Sequence, residues 1–144
     1  MRARVLGVDL GNRRIGLALS DELGIIAGPH GTIIRSGDPA TDHREILEAA
    51  ANAGAQRVVV GLPLSLSGAL GPAARMTLEE VEQLSALAAL ASPPIEVETY
   101  DERFTTVTAQ AALAGAKVKR GARRKIVDKV AAAVMLQAYL DAHK

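Results

Sequence analysis

The chain opens on a short apolar run. Val5-Leu6-Gly7-Val8 has no polar interruption before Asp9, and a run of this kind reads as a strand buried on both faces. Gly11-Asn12 supplies a tight turn, and Ile15–Leu19 returns as a second strand; the short link makes the pair an antiparallel hairpin. A third strand is predicted around Gly31–Ile34. Asp42, followed three residues later by Glu45, has the form of a capping box opening a helix that stops near Gly54. Arg57–Gly61 contains the continuous run Val58-Val59-Val60 and reads as another strand without a solvent face. Pro63–Gly71 is a Gly/Ser-rich loop, and Pro72 suits the first position of a helix running to about Ala91, where Ser92-Pro93-Pro94 ends it. Ile95–Tyr100 alternates Ile95, Val97 and Thr99 with Glu96, Glu98 and Tyr100, the pattern of a half-exposed strand. Thr105 or Thr106 caps a short helix ending at Gly115, and a last helix is predicted from about Arg123 to Ala142.

The order β-β-β-α-β-α-β-α-α predicts an α/β fold: a mixed five-stranded sheet flanked by helices, with its parallel part central. The 144 residues fit one domain spanning 1–144. Hydrophobic residues at 49% can fill a core, but aromatics are only 2%, so that core is built from Ala, Val, Leu and Ile. The scarcity of aromatics also argues against reading single strands by base stacking. With no cysteine, disulfides and thiolate metal sites are excluded. Met1 leads directly into the first strand and no apolar run reaches transmembrane length, so a soluble, cytoplasmic protein is expected.

Charge changes the picture locally. The net charge is +1, yet residues 117–129 hold Lys117, Lys119, Arg120, Arg123, Arg124, Lys125 and Lys129 against the single acid Asp128. Such a basic segment is a phosphate-binding surface or a solvated helix start.

Three acids stand out. Asp9 directly follows a buried run and ends a central strand, where sheet proteins place ligands; the alternative is a turn aspartate ahead of Gly11. Asp101 ends the strand Ile95–Tyr100, next to Glu102, where first-turn helix chemistry is the alternative. Asp128 lies between Val127 and Val130 on the border of an apolar helix face, where either Arg124 at i−4 or a metal must compensate it. Carboxylate oxygens suit hard divalent ions, Mg2+ or Mn2+, and His30, His43 and His143 are too scattered for a zinc site. An Asp-x-Gly hairpin also opens the actin and sugar-kinase ATPases. Those close two such domains around a nucleotide, whereas this chain has one copy.

Taken together, the motifs resemble the YqgF/RuvX family. Val8-Asp9-Leu10-Gly11-Asn12-Arg13-Arg14-Ile15-Gly16-Leu17-Ala18-Leu19-Ser20-Asp21 is similar to its opening signature, and Val59-Val60-Gly61-Leu62-Pro63-Leu64 to its central strand motif. Asp101-Glu102-Arg103-Phe104-Thr105-Thr106 matches its Asp-Glu-Arg-Leu-Thr-Thr motif with Phe104 for Leu, and Lys125-Ile126-Val127-Asp128-Lys129-Val130-Ala131-Ala132 resembles its final helix. The motifs occur in family order over nearly the whole chain. One departure is the loop Ser65-Leu66-Ser67-Gly68-Ala69-Leu70-Gly71, which lacks the acid the family usually carries there.

The resemblance implies a ribonuclease H-like fold and a metal-dependent nuclease site at Asp9, Asp101 and Asp128. Its members are described as enzymes maturing the 5′ end of pre-16S ribosomal RNA and as Holliday junction resolvases. The expected partner is therefore nucleic acid, either precursor rRNA or a four-way DNA junction. Arg13, Arg14, Lys119, Arg120, Arg123 and Arg124 are the expected phosphate contacts. Junction resolution would require two active sites, hence a two-fold homodimer. Glu102 stands in reserve for Asp101, and Glu98 is a further candidate ligand. The competing readings are a non-catalytic nucleic-acid-binding factor using the same basic segment and a phosphate-cradle ATPase.

Overall fold

The computed structural model describes residues 4–64, 67–102 and 120–143, with the backbone alone for 120–129. Five strands form one sheet in the order β3-β2-β1-β4-β5: β1 (Arg4–Leu10), β2 (Arg14–Ser20), β3 (Ala27–Ile34), β4 (Ala55–Leu62) and β5 (Glu96–Asp101). β1, β2 and β3 form an antiparallel meander, whereas β1, β4 and β5 run parallel, so the sheet is mixed as expected. Among the described residues three helices cover it: α1 (Pro39–Asn52), α2 (Pro72–Ala89) and α3 (Arg120–Ala142). The short helix expected between Thr105 and Gly115 lies outside the described residues. No described helix is long and apolar enough to cross a membrane.

The alternation of side chains along the central strands makes two cores. Leu6 and Val8 of β1 and Val58 and Val60 of β4 point into the larger one, with Ile46 of α1 and Leu84 of α2. Val5 and Val59, of opposite parity, join Ala18 and the buried stripe of α3, namely Ala132, Met135, Leu136, Tyr139 and Leu140. Gly7 sets how closely α3 can approach. A Cβ at Gly7 would sit 2.9 Å from the Leu136 Cβ and 3.4 Å from the Ala132 carbonyl oxygen.

Three boundaries differ from expectation, each for a local reason. β3 begins at Ala27 rather than near Gly31, because a register shift opposite Leu17/Ala18 lets Gly28 and Pro29 continue the pairing. Gly31, at φ 103°, takes the strain of that bulge, and Pro29 is tolerated because β3 is an edge strand. α1 begins at Pro39 with Asp38 as its N-cap, not at Asp42. Asp42 is buried inside the first turn, where its Oδ1 accepts the Ser36 N–H at 3.0 Å. It therefore satisfies the incoming loop and is no capping box. α3 begins at Arg120, three residues before the expected Arg123.

We expect Gly7→Ala to lower unfolding free energy by about 1–3 kcal/mol, the usual cost of overpacking a dense core. Urea denaturation measures it, and an unchanged midpoint would mean that α3 is not seated on β1 as described.

Candidate active site

The site is built where the parallel strands end. Val8 pairs with Val60, and Asp9 is the next residue of β1; Leu62 pairs with Asp101 across β4 and β5. Asp9 and Asp101 thus leave two strands on either side of β4, at the same edge of the sheet. Asp9 shares the parity of Val5 and Gly7, the side covered by α3. Gly61 on β4 has the parity of Val59 and belongs to that same face.

Glu102 follows Asp101 directly and folds back over Gly61. A Cβ at Gly61 would lie 3.0 Å from both Cγ and Cδ of Glu102, so a side chain there would press the Glu102 carboxyl out of the place it holds. Burial pushes the Glu102 carboxyl up to a pKa of about 7, followed by the negative charge of Asp9, a hydrogen bond with Asp9, and the charge of Asp101. Three acids are therefore brought together: Asp9 and Asp101, as the sequence nominated, and Glu102, which it held only in reserve. The signal for Glu102 was Gly61, a glycine inside an otherwise Val-rich strand, which marks the close passage of another group.

The helix that carries Asp128 packs on the face of the sheet that holds Val5 and Gly7. Arg57, near the start of β4, donates to the Tyr139 hydroxyl at 3.0 Å, and Gly7, midway along β1, meets Leu136. Asp128 is eight residues before Leu136, about 12 Å of helix rise further on. Its side chain, with those of Arg120, Arg123 and Arg124, lies outside the described residues, as does Lys119. Arg13 is exposed in the β1–β2 turn and Arg14 is half-buried at the start of β2, so both stand at the same edge of the sheet as Asp9.

The donor set fits a hard cation. Burial first, and then the charges of Asp9 and Asp101, make the Glu102 carboxyl hold its proton toward neutrality, and a divalent ion would offset the charge part of that cost in place of the proton. Among the described residues, no group of three or more His, Asp or Glu side chains is placed to hold a metal ion.

Residues 3–142 match the family described as RuvX, Holliday junction resolvase. A protein of Desulforudis audaxviator named "Putative pre-16S rRNA nuclease" is 40% identical over 141 residues, covering 98% of this chain and 96% of its own. One of the same name from Symbiobacterium thermophilum is 42% identical over 139 residues, covering 96% and 92%. Among solved structures, RuvC of Thermus thermophilus, bound to a Holliday junction substrate, superposes with a TM-score of 0.55 at 19% identity over 97% of this chain and 94% of its own. The Fowlpox virus resolvase, in complex with Holliday junction DNA, gives 0.56 at 9% identity over 97% and 98%. At these identities the two resolvases establish a shared fold, the ribonuclease H-like sheet expected from the sequence.

The Glu102 carboxyl gives a pH prediction for the metal-free chain. An acid whose pKa is raised on folding binds its proton more tightly in the folded state, so stability falls as pH rises from about 4.5 to about 7. In EDTA, the stability of Glu102→Gln relative to wild type should therefore increase across that window by at least about 1 kcal/mol and level off above it. Chemical denaturation at stepped pH checks this; parallel curves would show that Glu102 is not crowded by Asp9.

Proposed function

This chain belongs to the RuvX family, and on that premise we propose that it is a metal-dependent nuclease hydrolysing phosphodiester bonds of structured nucleic acid. The substrate we favour is precursor 16S ribosomal RNA, processed at its 5′ end, because the relatives that match nearly end to end carry that name. The observation that carries the reading is the meeting of Asp9, Asp101 and Glu102 at the ends of the parallel strands. A cluster of acids repels phosphate, so it makes sense in a nucleic-acid protein only if cations intervene. That argues against a purely binding role. The ATPase reading is disfavoured by the single domain-sized match over residues 3–142.

Asp9, Asp101 and Asp128 would hold Mg2+ or Mn2+, with Glu102 as a further acid beside Asp9. A bound divalent ion supplies Lewis acidity toward the phosphate and lowers the pKa of an attacking water. The chain's own part is to fix the carboxylates on rigid strand ends and to exclude bulk water behind them with the two cores. Glu102, with a pKa near neutrality, can hold or release a proton at working pH, as a group assisting water or leaving oxygen must. Arg13 and Arg14, at the Asp9 end of the sheet, would grip backbone phosphates, with Lys119, Arg120, Arg123 and Arg124 leading into the helix of Asp128.

Cleavage of precursor 16S rRNA and of a four-way DNA junction, measured side by side with Mg2+ or Mn2+, tests the reading. Asp9→Asn, Asp101→Asn and Asp128→Asn should each lose more activity than the roughly 10–100-fold carried by groups behind a metal's ligands. A variant near wild-type turnover removes that residue from the site, and cleavage that survives EDTA removes the metal. Preference for the junction, accompanied by a two-fold dimer in solution, would transfer the assignment to junction resolution.

The basic segment makes a separate prediction. Each phosphate contact releases counterions, so the combined Lys119→Ala, Arg120→Ala, Arg123→Ala variant should flatten the log–log salt dependence of binding by roughly one unit per lost contact. An unchanged slope would mean that the phosphate track runs past Arg13 and Arg14 instead.

A further inference from the structure

Asp9 is followed by a turn that the structure holds from three directions. Gly11 donates its N–H to the Asp9 carbonyl at 3.1 Å, and a Cβ at Gly11 would lie 2.5 Å from the Arg14 carbonyl oxygen, so the turn is too tight for any side chain there. Arg35, just past the end of β3, spans this turn twice. Its backbone N–H donates to the Arg13 carbonyl at 2.9 Å, and its Nε donates to the Gly11 carbonyl at 2.7 Å.

The other end of the guanidinium is itself fixed. Nη2 and Nη1 of Arg35 reach the two oxygens of Glu80 on α2 at 2.8 and 3.2 Å. Glu80 Oε2 also lies 2.9 Å from Nε2 of His43 on α1, whose side chain is only 2% exposed. Burial raises the Glu80 carboxyl, but its bonds to Arg35 and His43 outweigh that and hold its pKa below the usual value, so the pair is charged. A planar fork with all three nitrogens engaged is a rigid strut, and it sits largely out of solvent, with Arg35 18% and Glu80 22% exposed.

We propose that Arg35 is a positioning residue for the carboxylate site, holding the Gly11 carbonyl so that the chain leaving Asp9 has one path and the Asp9 carboxylate one orientation. Glu80 and His43 act through Arg35, and none of the three touches a reacting atom. The placement is economical. The two helices of the larger core send one residue each to support Arg35, Glu80 directly and His43 through Glu80, so packing of that core and aim of Asp9 are coupled. Bidentate geometry is what this requires: lysine would keep the charge and lose the fork. The inference rests on the reading of Asp9 as a metal ligand.

The test uses the full chain, freed of metal, as wild type and as Arg35→Lys, Glu80→Gln and Asp9→Asn. Arg57→Lys is the control, because it breaks a fork to Glu96 at the opposite edge of the sheet. Mn2+ affinity is measured by calorimetry, and amide exchange is followed over residues 9–14. Arg35→Lys and Glu80→Gln should remain folded, exchange faster in the turn, and bind Mn2+ roughly tenfold more weakly or worse, the scale seen for groups that orient metal ligands. The control should lose stability alone. In the cleavage assay the same variants should lower kcat while leaving KM for nucleic acid in place. Unchanged exchange over residues 9–14 would overturn the strut, whatever the chain's activity. Mn2+ affinity within about twofold of wild type, in a protein whose Asp9→Asn form no longer binds Mn2+, would overturn its bearing on Asp9. Wild type without Asp9-dependent Mn2+ binding would instead bring down the metal reading itself, and this proposal with it.

Discussion

Strand β1 has no solvent face. Leu6 and Val8 are locked into one core and Val5 into the other, and Gly7 sits beneath α3 with no room for even a methyl group. A strand held on both sides cannot slip by one residue without exchanging its faces, because its side-chain period is two. The position of Asp9 is therefore fixed by packing several residues away. The rest of the site follows: β4 pairs with β1 in parallel, β5 with β4, and their ends present Gly61, Asp101 and Glu102 at the same edge.

What this scaffold does with that precision is electrostatically costly. Burial and the neighbouring charges of Asp9 and Asp101 together raise the Glu102 carboxyl to a pKa of about 7. The crowding is tolerable because the acids stand at strand ends, half-buried rather than sealed inside either core. It also gives the proposed site a chemical bias, since a hard cation bound there would compete with the Glu102 proton.

The two edges of the sheet are stabilised differently. At the edge where the parallel strands begin, Arg57 is tied to Glu96 and to the Tyr139 hydroxyl; Tyr139 is also stacked on His143 at 4.1 Å and lies edge-on, at 5.8 Å, to Tyr100 further along β5. These contacts clamp the C-terminal half of α3 to the sheet beside a cavity of about 450 Å3 lined by Arg4, Arg57 and His143 among others. At the opposite edge the clamp on the β1–β2 turn is the Arg35–Glu80–His43 chain, drawn from β3, α1 and α2. Polar ties thus finish both ends of elements whose middles are held by aliphatic packing alone, as expected of a chain with 2% aromatic residues.

Much of this was written in local pattern. The buried runs before Asp9 and through Val58–Val60, the hairpin at Gly11, the helix beginning at Pro72 and the mixed sheet they build are legible because burial on two faces and backbone turns impose composition directly. Asp9 and Asp101 could be singled out as acids at strand ends. The start of α1 was misread, because Asp42 offers the same residue pattern to a helix cap as to a loop amide, and only the fold decides which donor it meets. Arg35 was beyond local reading, and Glu102 could be held only in reserve, for the same reason. The partners of Glu102 are Asp9 and Gly61, and those of Arg35 are Gly11 and Glu80, all far away along the chain. Sequence determines which residues can bear charge and where the chain must be buried; which charges meet is a property of strand order and helix placement, and these exist only once both cores have closed on β1.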